Sequence, residues 1–91
     1  MSVRWTRKAR AELQRLETFL APVDLSAAER AVKGILTAVR KLGATPRLGI
    51  RLTEFDPREV RRIVVGDHEV RYELTETGLV IVRLWHLRED R

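Results

Sequence analysis

Ninety-one residues carry a formal net charge of +5, with 44% hydrophobic side chains, 34% charged ones and no cysteine. That length makes one domain, 1–91, burying roughly 60–65% of its unfolded surface around a single core. The lack of cysteine excludes a disulfide framework and a thiolate metal site and fits a reducing cytoplasm. No apolar run approaches the ~20 residues of a membrane span, and Met1-Ser2-Val3-Arg4-Trp5 opens no signal peptide, so no membrane partner is expected. Apart from Lys8, Lys33 and Lys41 every basic residue is arginine, which favours planar, bidentate contacts with carboxylate or phosphate. The charge therefore points to nucleic acid or an acidic protein segment, with a solvated arginine surface as the plain alternative.

Ser2-Val3-Arg4-Trp5 is short and alternating and reads as a first strand. Thr6 is placed to cap a helix reaching about Leu20, whose stripe is Ala9, Leu13, Leu16 and Leu20. Arg7, Lys8, Arg10 and Arg15 fill its polar side. Basic residues in the first turn oppose the helix dipole, a misfit that suits an anion-binding surface or is simply screened by solvent. Ala21-Pro22-Val23-Asp24-Leu25 breaks the helix. Ser26-Ala27-Ala28-Glu29 matches a capping box and predicts the second helix, with Ala28, Val32, Ile35, Val39 and Leu42 on one stripe. Gly43 is the expected left-handed cap, after Arg40 and Lys41 in the last turn. Two stripes joined by a short linker predict an antiparallel helical hairpin. Gly34 inside the second helix costs roughly 1 kcal/mol against alanine, which either close packing or a neutral exposed site would accommodate.

From Ala44 to Pro57 the pattern fades into turn chemistry around a loop or frayed strand. Val60 to Val65 is β-branched and closes on Gly66-Asp67, a hairpin signal. His68 to Leu74 alternates, with Val70, Tyr72 and Leu74 on one face and Glu69, Arg71 and Glu73 on the other. Glu76-Thr77-Gly78 turns into a last strand, Leu79 to His86, with apolar residues on both faces. Strict alternation sends Leu79, Ile81, Arg83, Trp85 and Leu87 one way and Val80, Val82, Leu84 and His86 the other. The expected fold is α+β, in the order β-α-α-β-β-β: a helical hairpin on an antiparallel meander whose sheet includes the N-terminal strand.

There is no Gly-rich phosphate loop and no His/Asp/Glu cluster at metal-ligand spacing, and no metal or cofactor is expected. What remains is a set of arginines, two histidines and some carboxylates. Those groups suit phosphodiester cleavage of RNA, which needs a base, an acid and cations for the phosphate. They equally suit a protein that only binds.

Three blocks carry a resemblance: Val3 to Ala9, Arg61 to Glu73, and Val82 to Asp90. Together with the element order they resemble toxins of the RelE/ParE superfamily over nearly the whole chain. The resemblance implies the toxin of a type II toxin–antitoxin pair, inhibiting growth and held in a hetero-oligomer by a cognate antitoxin with an acidic segment. RelE-like members cleave messenger RNA in the ribosomal A site, whereas ParE-like members poison DNA gyrase and are not nucleases. His86 is similar in position to the C-terminal histidine of some RelE-like nucleases. Glu69 stands where their early third-strand arginine is expected, with Arg71 two residues on, and Glu54 is a loosely matched base. The tail Leu87-Arg88-Glu89-Asp90-Arg91 has no tyrosine. A ParE-like, gyrase-directed toxin is therefore the implied reading, with a ribosome-dependent messenger endonuclease as the alternative. In that alternative the catalytic set is His86, Arg71, Arg61 and Arg62. Arg7, Arg10, Arg83, Trp85, Arg88 and Arg91 are the candidates for target and antitoxin binding. For Arg83 and Trp85 the plainer role is packing and ion pairing within the sheet, and for His86 a structural or antitoxin-facing one.

Overall fold

The computed structural model describes residues 1–89. Strand β1 (Val3–Trp5) runs into helix α1 (Arg7–Leu20), followed by α2 (Leu25–Ala44). Strand β2 (Ile50–Arg51) and a 3₁₀ turn at Thr53–Phe55 come next. Strands β3 (Glu59–Val65), β4 (His68–Thr75) and β5 (Gly78–His86) complete the chain. The sheet order is β1-β5-β4-β3-β2, with the hairpin of helices on one face. The α+β expectation holds, but the sheet is mixed: β1 lies parallel to β5, with Val3 opposite Leu79 and Trp5 opposite Ile81.

Thr6 caps α1 as expected, its hydroxyl accepting the Ala9 amide at 3.0 Å. The start of α2 differs. Asp24, not Ser26, is the cap, its carboxylate accepting the Ala27 amide at 3.0 Å. An aspartate there satisfies a free N–H and places negative charge at the positive end of the helix, so the helix begins earlier than the Ser-x-x-Glu pattern indicates. Ser26 instead accepts a bond from the Arg30 guanidinium at 2.7 Å. The far end also differs. Gly43 stays helical, and α2 continues to Ala44, where the Thr45 amide donates to Lys41. A Cβ at Gly43 would lie 3.6 Å from the Met1 carbonyl, an ordinary contact, so crowding does not demand glycine there.

A β-bulge corrects the reading of the last strand. Arg71 pairs with Arg83 but Tyr72 pairs with Ile81, leaving Val82 as the extra residue. The bulge reverses the alternation, so Leu84 joins Leu79 and Ile81 under the helices while Arg83 and Trp85 turn to the outer face. The core is built from these residues with Val70, Tyr72, Ile35, Val39, Leu42 and Ala9.

The weakly patterned segment after α2 is fixed by one buried phenol. The Tyr72 hydroxyl donates to the Pro46 carbonyl at 2.8 Å and accepts the Gly49 amide at 2.9 Å. Glycine is required at that contact, because a Cβ at Gly49 would lie 2.6 Å from the Arg62 carbonyl. No helix among the described residues is long and apolar enough to cross a membrane.

Candidate functional site

β1 covers only the first part of β5. Beyond Ile81 the edge of β5 is taken over by α1. The Thr6 amide donates to the Ile81 carbonyl at 3.0 Å and its hydroxyl to the Val82 carbonyl at 3.1 Å. One turn later the Glu12 carboxylate accepts the Leu84 amide at 2.9 Å and grips the Arg83 guanidinium at 2.9 and 3.1 Å. α1 is thus pinned to the strand at its start, and of its whole length only Ala9, in the first turn, is fully buried.

A groove of about 570 Å³ lies between the end of α1 and the end of β5. Its apolar wall is Leu16, Phe19, Leu20 and Leu84, and Phe19 is 76% exposed. Arg15, His68, His86, Arg88 and Glu89 form the charged rim. Arg15 reaches across the groove to Glu89 at 2.8 Å. The tail folds back on His86: the Glu89 amide donates to the His86 carbonyl, and the Arg88 amide to His86 Nδ1 at 3.0 Å. The His86 amide donates to the Glu89 carboxylate and, ahead of Arg15, holds its pKa below the ordinary value. The His68 and His86 rings meet edge-on with centroids 5.1 Å apart. Burial, helped by the neighbouring His86, lowers the pKa of His68 from the ordinary 6.5.

The outer face of the sheet carries a different constellation. Arg62, Arg71 and Arg83 lie in register on three neighbouring strands. Glu69, only 5% exposed, is shared by Arg62 and Arg71 at 3.1 Å each. Arg71 lies between two rings, 4.7 Å from the centroid of Trp85 and 5.5 Å from that of Phe55. Arg83 covers the same indole at 5.3 Å. A guanidinium against an aromatic face gains cation–π attraction, which grows as the pair is desolvated. This is a paired, stacked network rather than a set of open cations.

The structure therefore separates the residues of the nuclease alternative. His86 pairs across the sheet with His68 on the helix side, while Arg71 and Arg62 face outward with Glu69. Arg61 points to the helix side but is bound to Glu59 and the Gly49 carbonyl. Glu54 is exposed in the 3₁₀ turn. Among the binding candidates, Arg88 lies on the groove rim, Arg7 and Arg10 are exposed on the first turns of α1, and Arg91 lies outside the described residues. Trp85 is buried at 2% exposure, and Arg83 is held by Glu12. Leu16, Phe19, Leu20, Glu12 and His68 were not among the sequence candidates. Phe19, three residues after Leu16, widens the α1 stripe and is the signal that points to the groove. Glu12 gives none, since its partner lies 71 residues away.

Helical hairpin, mixed sheet and apolar groove with a charged rim define a small α+β domain. The chain belongs to the family of ParE toxins of type II toxin–antitoxin systems, parDE, whose sequence profile matches residues 3–91. Its fold is similar to that of a chain from the chromosomal ParDE TA system of P. aeruginosa, with a TM-score of 0.78 and 24% identity over 94% of this chain and 95% of that one. No curated protein matches the sequence significantly.

Proposed function

We propose that this chain is a cytoplasmic toxin that arrests growth by binding and poisoning DNA gyrase, and that a cognate antitoxin neutralises it in a hetero-oligomer. Family membership supports the toxin role. The observation that carries the preference for gyrase is that His86 lies on the opposite face of the sheet from Arg71, whose guanidinium is tied to Glu69. A phosphodiester-cleaving site needs an acid, a base and phosphate-holding cations around one reacting atom. Such convergence would require the Arg62–Glu69–Arg71 network to be dismantled.

The α1–β5 groove supports the antitoxin half of the proposal. Phe19, Leu16 and Leu20 offer an apolar seat, and burying such side chains contributes about 25 cal/mol per Å² of apolar surface. The Arg15–Glu89 bridge that crosses it is largely exposed, and exposed pairs are worth roughly 0–1 kcal/mol. An acidic residue of the antitoxin exchanges with Glu89 on Arg15 at little cost, and its apolar neighbours fill the groove. Because that contact is mainly apolar, the complex persists at raised salt.

Induced expression followed by primer extension on cellular messages, alongside a gyrase cleavage assay with purified protein, tests the proposal. Intact messages with gyrase trapped on broken DNA are expected, together with loss of toxicity when Arg88 and Arg91 are changed. A-site cuts that vanish in His86→Ala would overturn the gyrase reading. Failure of the adjacently encoded protein to co-elute at raised salt would overturn the antitoxin reading.

A further inference from the structure

A second groove lies at the other edge of the sheet, and its walls are a strand edge and a helix. Gly34, Thr37, Ala38 and Lys41 of α2 face Leu48, Ile50 and the Arg62–Gly66 stretch across about 780 Å³. β2 pairs with β3 only through Ile50 opposite Arg62 and Arg51 opposite Arg61. The Leu52 amide donates to the Val60 carbonyl at 2.8 Å, so the even-numbered residues of β3 direct their backbone groups toward this edge. Val64 is the next one along. Leu48 would stand opposite it, but the Leu48 amide turns away to the Thr45 carbonyl at 3.2 Å. Among the described residues no strand pairs with this side of Val64.

Strand edges left open in this way are normally blunted by charge, proline or a bulge. Here the side chains beside the opening are aliphatic and exposed: Leu48 at 55%, Ile50 at 67% and Val64 at 49%. Gly34 adds to the opening. It is helical, and a Cβ there would meet Val65 at 3.8 Å, an ordinary contact, so neither conformation nor crowding requires glycine. What it leaves is open room in the groove wall.

Charge selects the occupant. The lining holds Lys41 and no carboxylate, and its one other cation, Arg62, is already paired with Glu69. Lys33, exposed, stands beside Gly34 in the chain. Two copies of this chain meeting edge to edge would oppose these cations, and the net charge of +5 works against self-association. We propose that the outer edge of β3 is a strand-addition site for an extended, acidic segment of the antitoxin. The segment pairs its backbone with Val64, sets an aliphatic side chain against Gly34 and places carboxylates by Lys41 and Lys33. This rests on the antitoxin reading given above and adds a second contact, on the opposite side of the hairpin from the α1–β5 groove.

The test measures binding of the full-length, adjacently encoded protein to the full chain and two variants. Val64→Pro removes an N–H that faces the open edge and leaves the ladder to β4 intact. Gly34→Leu fills the groove wall with a strong helix former. Each variant is expected to bind at least tenfold more weakly while its thermal midpoint stays the same or, for Gly34→Leu, rises. In the wild-type complex the Val64 amide is expected to become protected from hydrogen exchange. Should Val64→Pro not fold, Gly34→Leu and the Val64 amide decide the matter. Unchanged affinity with an unprotected Val64 amide would overturn the strand-addition site and leave the antitoxin reading standing. No binding by the wild-type chain would overturn both. A concentration-dependent dimer of the chain alone that protects the Val64 amide would overturn the site in favour of a second copy.

Discussion

The two helices share one sequence period and put it to opposite uses. α2 buries Ala28, Ile35, Val39 and Leu42. α1 buries Ala9 alone, keeps Leu13 and Leu16 partly covered against the core and leaves Phe19 in solvent. Periodicity reports that a helix has an apolar side; it does not report what covers that side. Here the covered helix holds the domain together, and the half-covered one carries the groove that we propose as the antitoxin's seat.

The sharpest way to break this comparison is Ile35→Ala. With 1% exposure and neighbours on all sides, Ile35 should cost about 2–5 kcal/mol on truncation, measured by urea titration. A loss below about 1 kcal/mol would mean that α2 is not the helix carrying the core. Next in size is Tyr72→Phe, which strands the Gly49 amide and the Pro46 carbonyl at about 1–3 kcal/mol and should loosen residues 46–49. Hydrogen exchange at Gly49 reads that loosening directly. Phe19→Ser should fall within about 0.5 kcal/mol of wild type in stability, as exposed positions do, yet weaken antitoxin binding at least tenfold. A large loss of stability with full binding would reverse the roles assigned to the two helices.

The smallest effect expected is a response to acid. The pKa of His68 is lower folded than unfolded, so the unfolded chain takes up the proton first. Its contribution is complete above about 6.5, declines as pH falls through that value, and is gone below the folded pKa. Glu59, Glu73 and Glu89 also have lowered pKa values, from bonds to Arg47, Arg58 and the His86 amide respectively, and add a second decline below 4.5. Thermal unfolding between about pH 2 and 8 should separate the two ranges, and His68→Phe should remove the upper one alone.

Most of the architecture was legible in the sequence because it is local. Thr6, the β3–β4 hairpin at Gly66-Asp67 and the alternation of β4 depend on neighbours a few residues away, and all three stand in the structure. The failures were local rules overruled by something nearby or distant. Asp24 out-competed the Ser26 capping box. Gly43 stayed inside α2, which runs on to Ala44. One extra residue, Val82, reversed the faces of β5. The site was less legible than the fold. Arg83 and Trp85 stand out by type, but Glu12 and Arg71 bury or bind them. The groove is lined by two elements far apart in the sequence, and no single stretch encodes it by itself.

The pairing of β1 with β5 has a bearing on how the protein is made. Val3, Arg4 and Trp5 leave the ribosome long before their partners Leu79, Val80 and Ile81. Until those emerge, the first strand has no ladder, Thr6 has no carbonyl to bond and Glu12 has no arginine to hold. Contacts so distant in sequence form late, after the loop between them has been closed. A chain whose β5 has not yet emerged is thus an unfinished toxin. It acquires its shape only once β5 has joined β1 and α1, and the groove between α1 and β5 cannot exist before then.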